Sequence, residues 1–126
     1  MEITWHGERC FTIKGKETTI VVDPYDKSDH VLKKVDADTV LLTGDYDGTA
    51  VLREGADKAQ KINWPGEYEI KGAAIVAIPS YSKTVSKDDK TGGKIILFSF
   101  LVDGIKLCHL GTLGGEVDED TMEAIG

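Results

Sequence analysis

Short apolar runs rich in β-branched residues, separated by turns of glycine, aspartate and proline, dominate the chain. Residues 3–5 and 10–13 predict two strands joined by His6-Gly7-Glu8-Arg9, and Gly15-Lys16 turns the chain into a third at 18–22. Asp23-Pro24 ends that strand, because proline has no N–H to give to a ladder. Strands so closely spaced predict an antiparallel meander. Val31, Leu32 and Val35 then recur at helical spacing behind Ser28 or Asp29 as a cap. Residues 40–50, VLLTGDYDGTA, follow as a buried strand over Val40, Leu41 and Leu42. A polar turn of Gly44, Asp45, Asp47 and Gly48 surrounds Tyr46, and Thr49 is a plausible helix N-cap. A buried strand feeding a polar loop and a helix is where many α/β folds place their chemistry, which makes this loop the first candidate site.

Residues 53–60 are polar and fit a short helix or a loop equally well. Three further strands are expected at 61–64, 68–71 and 73–78, with turns at Pro65-Gly66 and Gly72. Residues 82–93, SKTVSKDDKTGG, have no apolar period and read as a charged hairpin loop. Residues 94–102 and 105–110 form a hairpin across Asp103-Gly104, the strongest turn signal in the chain. After a glycine-rich bend at 111–115, residues 118–125 predict a short acidic helix with Asp118 as cap and Gly126 at its end. The pattern as a whole predicts an α+β fold: a mostly antiparallel twisted sheet with about three short helices on one face.

Composition narrows the function. At 126 residues the chain reads as one domain, 1–126, and its formal net charge of −7 argues against nucleic acid and against an anionic membrane surface. Met1-Glu2 leads straight into a strand, and no apolar run reaches spanning length, so the expected compartment is the cytoplasm. Cys10 and Cys108 each lie in an apolar run and are expected to be buried free thiols without metal-pair spacing. Asp45 and Asp47 are the only charges in the 40–50 loop; they read as an acidic surface turn or as weak oxygen ligands for a divalent ion. His6, His30 and His109 lie far apart in sequence and are expected to face solvent or to bond locally. Ser80 and Ser82 lack a GxSxG elbow, and GTLGG lacks the GK[ST] ending of a phosphate loop. Glu67 beside Tyr68 reads as a structural pair, the alternative being an acid with a hydrogen-bond donor. Trp5 and Trp64 are either core or interface anchors.

Several stretches together resemble the metallo-β-lactamase fold superfamily, in its lactonase-like branch of small Zn-dependent hydrolases. The carrying segments are ITWHGERCFTI, IVVDPYDKS, ADTVLLTGDYDGTA, WPGEYEIKG, AIPSY and DGIKLCHLGTLG, in the family's order. The resemblance implies half of an αββα sandwich, since the family's full fold is about twice as long. The family's metal signature, Thr-His-x-His-x-Asp-His, lies on residues 43–49 of this chain. Its histidines fall on Gly44, Tyr46 and Thr49 and its aspartate on Gly48. A further histidine falls on Ser82, the bridging aspartate on Thr112 and an N-terminal histidine on Glu8. His109 matches the histidine of the family's HLGDLG turn and is expected to help set it.

Zinc needs imidazole, thiolate or carboxylate donors at about 2.0–2.3 Å from several directions. Glycine and threonine do not supply them. The resemblance therefore implies a hydrolase-like protein without zinc or another cofactor, non-catalytic and working through assembly or binding. The alternative is an active Zn-dependent hydrolase whose site is completed by a second chain or by non-standard ligands. The half-length match also implies a partner: a homodimer packed sheet to sheet, or a complementary second-half chain. A piece of a longer protein is the remaining reading.

Overall fold

The computed structural model describes residues 1–25, 36–45, 48, 51–81, 93–111 and 119–126. The meander expected at the start is present as β1 (Glu2–Trp5), β2 (Phe11–Lys14) and β3 (Thr19–Val22), paired antiparallel in that order. Next come β4 (Thr39–Leu41) and β5 (Gln60–Ile62), each parallel to its neighbour, which completes a five-stranded sheet β1-β2-β3-β4-β5. The apolar run at Val40 reflects that position. Leu41 faces one apolar cluster while Val40 and Leu42 face another, so both sides of the strand are covered.

The chain then changes sheets. β6 (Gly66–Ile70), β7 (Ala73–Tyr81), β8 (Lys94–Val102) and β9 (Ile105–His109) form a four-stranded antiparallel sheet in sequence order. The β8–β9 hairpin closes on Asp103-Gly104 with φ of 52° and 74°. Both residues are thus in the left-handed region that a two-residue primed turn requires. The Asp103 carboxylate accepts the Lys16 N–H at 3.2 Å, tying this turn to the β2–β3 turn of the other sheet.

The main core lies between the two sheets. Ile13, Ile20, Val22, Leu41 and Ile62 of the first meet Ile75, Ile96, Phe98, Phe100 and Val102 of the second. The outer face of the five-stranded sheet buries Cys10, Val21, Val40 and Leu42 under Ala56 and Ala59, at a 3₁₀ turn over Ala56–Lys58. The outer face of the four-stranded sheet buries Ile78, Ile95 and Leu97, with Ile125 of α1 (Glu119–Ile125) packed against them. Ser99 Oγ donates to the Ile125 carbonyl at 3.1 Å and fixes the end of that helix.

The mostly strand, mostly antiparallel fold is as expected. Two features of the arrangement differ from the expectation. One twisted sheet is in fact two sheets facing each other, with the crossover at Trp64-Pro65. The helical elements described lie on both outer faces instead of one. The premise of the sheet-to-sheet dimer, an uncovered sheet face, therefore does not apply, because each sheet already covers the other. The helices expected behind Ser28 and Thr49, the 82–93 loop apart from Gly93, and the 112–115 bend lie outside the described residues.

Phe98 is wholly buried at the centre of the intersheet core. Phe98→Ala is expected to cost about 3–5 kcal/mol, from lost transfer energy plus an unfilled cavity. Urea unfolding followed by circular dichroism measures it.

Candidate functional site

The loop after β4 is held by a buried carboxylate just past the end of β3. Asp23 follows Val22, has φ of 49°, and is 4 % exposed. Aspartate tolerates this left-handed conformation better than most residues. Its Oδ1 accepts the Thr43 N–H at 2.7 Å and its Oδ2 accepts the Thr43 hydroxyl at 2.5 Å. Arg9 Nε donates to Oδ2 at 3.3 Å, so the buried charge is matched as well as hydrogen-bonded. The Thr43 carbonyl accepts the Ile96 N–H of β8 at 2.7 Å, which joins the loop to the opposite sheet.

Further contacts fix the loop from its other sides. Asn63 Nδ2 donates to the Asp45 carbonyl at 2.9 Å, and the Gly48 N–H reaches the same oxygen at 3.2 Å. Tyr25 bridges to Leu52, and the Arg53 N–H donates to the Pro24 carbonyl at 2.8 Å, so residues 52–53 run alongside the segment that leaves β3. Burial is the main cause that pushes the Tyr25 hydroxyl above its ordinary pKa of 10.0; the nearby Asp23 and Asp45 charges add to this and the Gly44 backbone opposes it. Burial likewise raises the Cys10 thiol, against the pull of Arg53.

The turn after β9 closes the site from the second sheet. His109 Nδ1 accepts the Gly111 N–H at 3.1 Å, so its proton sits on Nε2, which donates to the Arg9 carbonyl at 3.1 Å. His109 thus sets its turn, as expected. Gly111 has φ of 55°, and a Cβ there would lie 3.1 Å from Thr43 Cβ. The backbone approaches the β4 loop as closely as only glycine allows.

A family model described as the beta-lactamase superfamily domain matches residues 2–126 of this arrangement. The chain belongs to the metallo-β-lactamase fold superfamily. It is 31% identical to a candidate Zn-dependent hydrolase of that superfamily from Thermotoga maritima, with a TM-score of 0.76 over 98% of this chain and 56% of that one. A UPF0173 metal-dependent hydrolase from Thermoplasma volcanium is 28% identical over 154 aligned residues, covering 100% of this chain and 66% of that protein. A candidate metal-dependent hydrolase from Parabacteroides distasonis, 19% identical, shares the fold with a TM-score of 0.56 over 86% of this chain and 59% of its own. The superfamily member described here spans just over half to two thirds of the length of these relatives.

The relatives' names imply a metal, and the described donors do not fit one. Gly44 brings no side chain, and the space where its Cβ would stand holds no atom within 4 Å. Gly48 brings none either. Both oxygens of Asp23 are occupied by Thr43 and Arg9. Asp45 is buried with its carbonyl spanned by Asn63 and Gly48. Among the described residues no three of His, Cys, Asp or Glu converge. Tyr46, Asp47, Thr49, Ser82, Thr112 and His30 lie outside the described residues. Glu8 occupies an exposed turn with φ of 47°. His6 Nε2 meets Thr12 Oγ1 at 2.6 Å, a local bond of the kind expected. Tyr68 donates to the Trp64 carbonyl at 2.7 Å while Glu67 points to the opposite face, so the two side chains do not act together as an acid and its donor.

Cys108 corrects an expectation. Both cysteines are free, but Cys108 is exposed, because β9 is an edge strand among the described residues. Asp23 is the site residue that sequence reasoning passed over, reading it only as a strand end. The available signal was a carboxylate directly after a fully apolar strand, where an unpaired charge is too costly to bury.

Asp23→Ala leaves the Thr43 N–H and hydroxyl without their acceptor and is expected to destabilise the chain by about 2–3 kcal/mol in urea unfolding. The raised Tyr25 pKa stabilises the folded state below pH 10 and that contribution is lost as pH rises beyond it. Tyr25→Phe should accordingly flatten the fall in unfolding free energy measured from pH 9 to 11.

Proposed function

We propose that this chain is a metal-free, non-catalytic member of the superfamily that works through binding and assembly. The observation that carries the reading is the donor set of the β4 loop. Its scaffold is intact, from β4 through the Thr43–Asp23 anchor to the Asn63 clasp on Asp45. Gly44 and Gly48 stand where an imidazole and a carboxylate would be needed, and of the two buried carboxylates nearby Asp23 is consumed in holding the loop. Metal-activated hydroxide and Lewis-acid chemistry need several such donors at once. No described helix is long and apolar enough to cross a membrane. We place the protein in the cytoplasm, where two unpaired thiols stay reduced.

Elemental analysis of the purified chain, before and after incubation with zinc and dialysis, tests the proposal together with a phosphodiester and lactone substrate screen. The expected result is far below one metal ion per chain and turnover no faster than a blank. One tightly held transition-metal ion per chain, with hydrolysis that a chelator abolishes, overturns it.

A further inference from the structure

Among the described residues the two layers of the sandwich are unequal, five strands against four, and β1 is the strand left over at the β9 side. β2 sits over β9: the rings of Phe11 and His109 are 5.8 Å apart, and His109 bonds the Arg9 carbonyl. β1, one strand further out, has no described counterpart beneath it. Its side chains register the gap. Ile3 is paired with Ile13 and Trp5 with Phe11, and paired residues of an antiparallel ladder share a face. Ile13 and Phe11 belong to the intersheet core, so Ile3 and Trp5 also point inward, yet they are 53% and 65% exposed. On the other layer Ile105 faces inward opposite the buried Val102 and is 48% exposed. The molecule thus ends in a step with an apolar riser.

We infer that this step is the binding surface for a second copy of the same chain. Rotation by 180° about an axis along the strands, midway between the layers, brings β9 of the second copy beside β1. It brings β1 of the second copy beside β9 at the same time. Each layer then continues as five strands of one copy and four of the other, with no gap and no overlap, as an isologous contact requires. The riser residues Ile3 and Trp5 meet their own equivalents and become core.

The backbone supports the pairing. β1 and β9 run the same way: the Met1 amino group is 3.9 Å from Asp103 before β9, and Phe11, opposite Trp5, lies at His109. The new contact is therefore a parallel pair. On β1 the His6 N–H bonds the Cys10 carbonyl, so Thr4 is spent on Thr12 and the groups of Ile3 and Trp5 face the open edge. On β9 the turn closes on Val102 and Ile105, which leaves the groups of Lys106 and Cys108 facing outward. A parallel ladder joins one residue to the two that flank its opposite number. Ile3 bonded to Lys106 and Cys108 of the second copy stands opposite Leu107, and both side chains point inward. The same register sets Glu2 opposite Lys106 of the second copy on the outer face, acid against base, twice in the dimer. β1 and β9 contain no other charged residue. Among the described residues Lys106, whose ammonium also reaches the Gly126 carbonyl at 3.5 Å, is the one charge within β9 that guards its edge against pairing.

This deepens the assembly reading above, and its test reads mass and partner exchange, not metal, so the two fail separately. Sedimentation velocity of the full chain at about 10 µM is expected to give twice the mass of one chain. Trp5→Ala should weaken association about thirtyfold or more, as loss of a central aromatic does. Glu2→Lys and Lys106→Glu should each weaken it about tenfold, and the double variant should restore it. Circular dichroism and urea midpoints confirm that every variant is folded. A folded monomer at about 100 µM overturns the inference, as does a dimer indifferent to these variants or one that the double swap fails to restore.

Discussion

A carboxylate with almost no access to water governs how this molecule is put together. Leaving Asp23 charged and dry would cost several kcal/mol, and three donors offset that cost: the Thr43 N–H, its hydroxyl and Arg9. The grip joins the ends of β3 and β4 at the point where parallel strands hand over to the loop. From there Thr43 continues the chain of contacts to Ile96 of the opposite sheet, and Gly111 packs its backbone against the same residue. His109, holding Gly111 on one nitrogen and the Arg9 carbonyl on the other, closes the circuit. The loop's shape is thereby set by groups beneath it and depends little on what its own side chains carry. A scaffold of this kind needs no side chain at Gly44 or Gly48 to keep its shape.

The parts of the fold that were legible in the sequence are those settled by local chemistry. The opening meander follows from β-branched runs and short turns, and the β8–β9 hairpin follows from Asp103-Gly104, whose backbone angles only a primed turn satisfies. Acids at Glu119 and Asp120 and the glycine at 126 marked α1 for equally local reasons. What failed to read out depends on partners distant in sequence. Nothing near Trp64 says that β5 and β6 belong to different sheets, since either side of Pro65 is simply a strand. Cys108 sits in an apolar run, and only its place on an edge strand leaves it exposed. Asp23 pairs with a residue 20 positions away, so its role is invisible to any window that sees it merely as the end of β3. At the candidate site Gly44 and Gly48 drew notice only because the resemblance supplies a frame in which side chains are expected there. The Asp23 anchor beneath that loop was not legible.

The stepped side of the sandwich and the altered loop are linked by architecture. His109 is both the inward residue at the end of β9 and the clasp that holds Arg9, while Arg9 itself donates to Asp23. Any strand added to β9 would therefore press on the residue that couples the turn to the loop anchor. Ordering of that edge and rigidity of the loop are expected to rise together, since both act on one short chain of hydrogen bonds.

Net charge bears on whether such an edge can meet its own copy. Two chains of formal charge −7 repel, but the repulsion between exposed charges is screened beyond about 8–10 Å at ordinary ionic strength. What matters is the charge inside that distance. The two edge strands hold one acid, Glu2, and one base, Lys106, and the rest of their surface is Ile3, Thr4, Trp5, Ile105, Leu107, Cys108 and His109. The acidity of the chain lies elsewhere, at exposed acids such as Glu54, Glu67, Glu69, Glu119, Asp120 and Glu123. The proposed contact falls where the described surface is nearly neutral and apolar, and it is that uneven distribution of charge, more than the total, that would permit it.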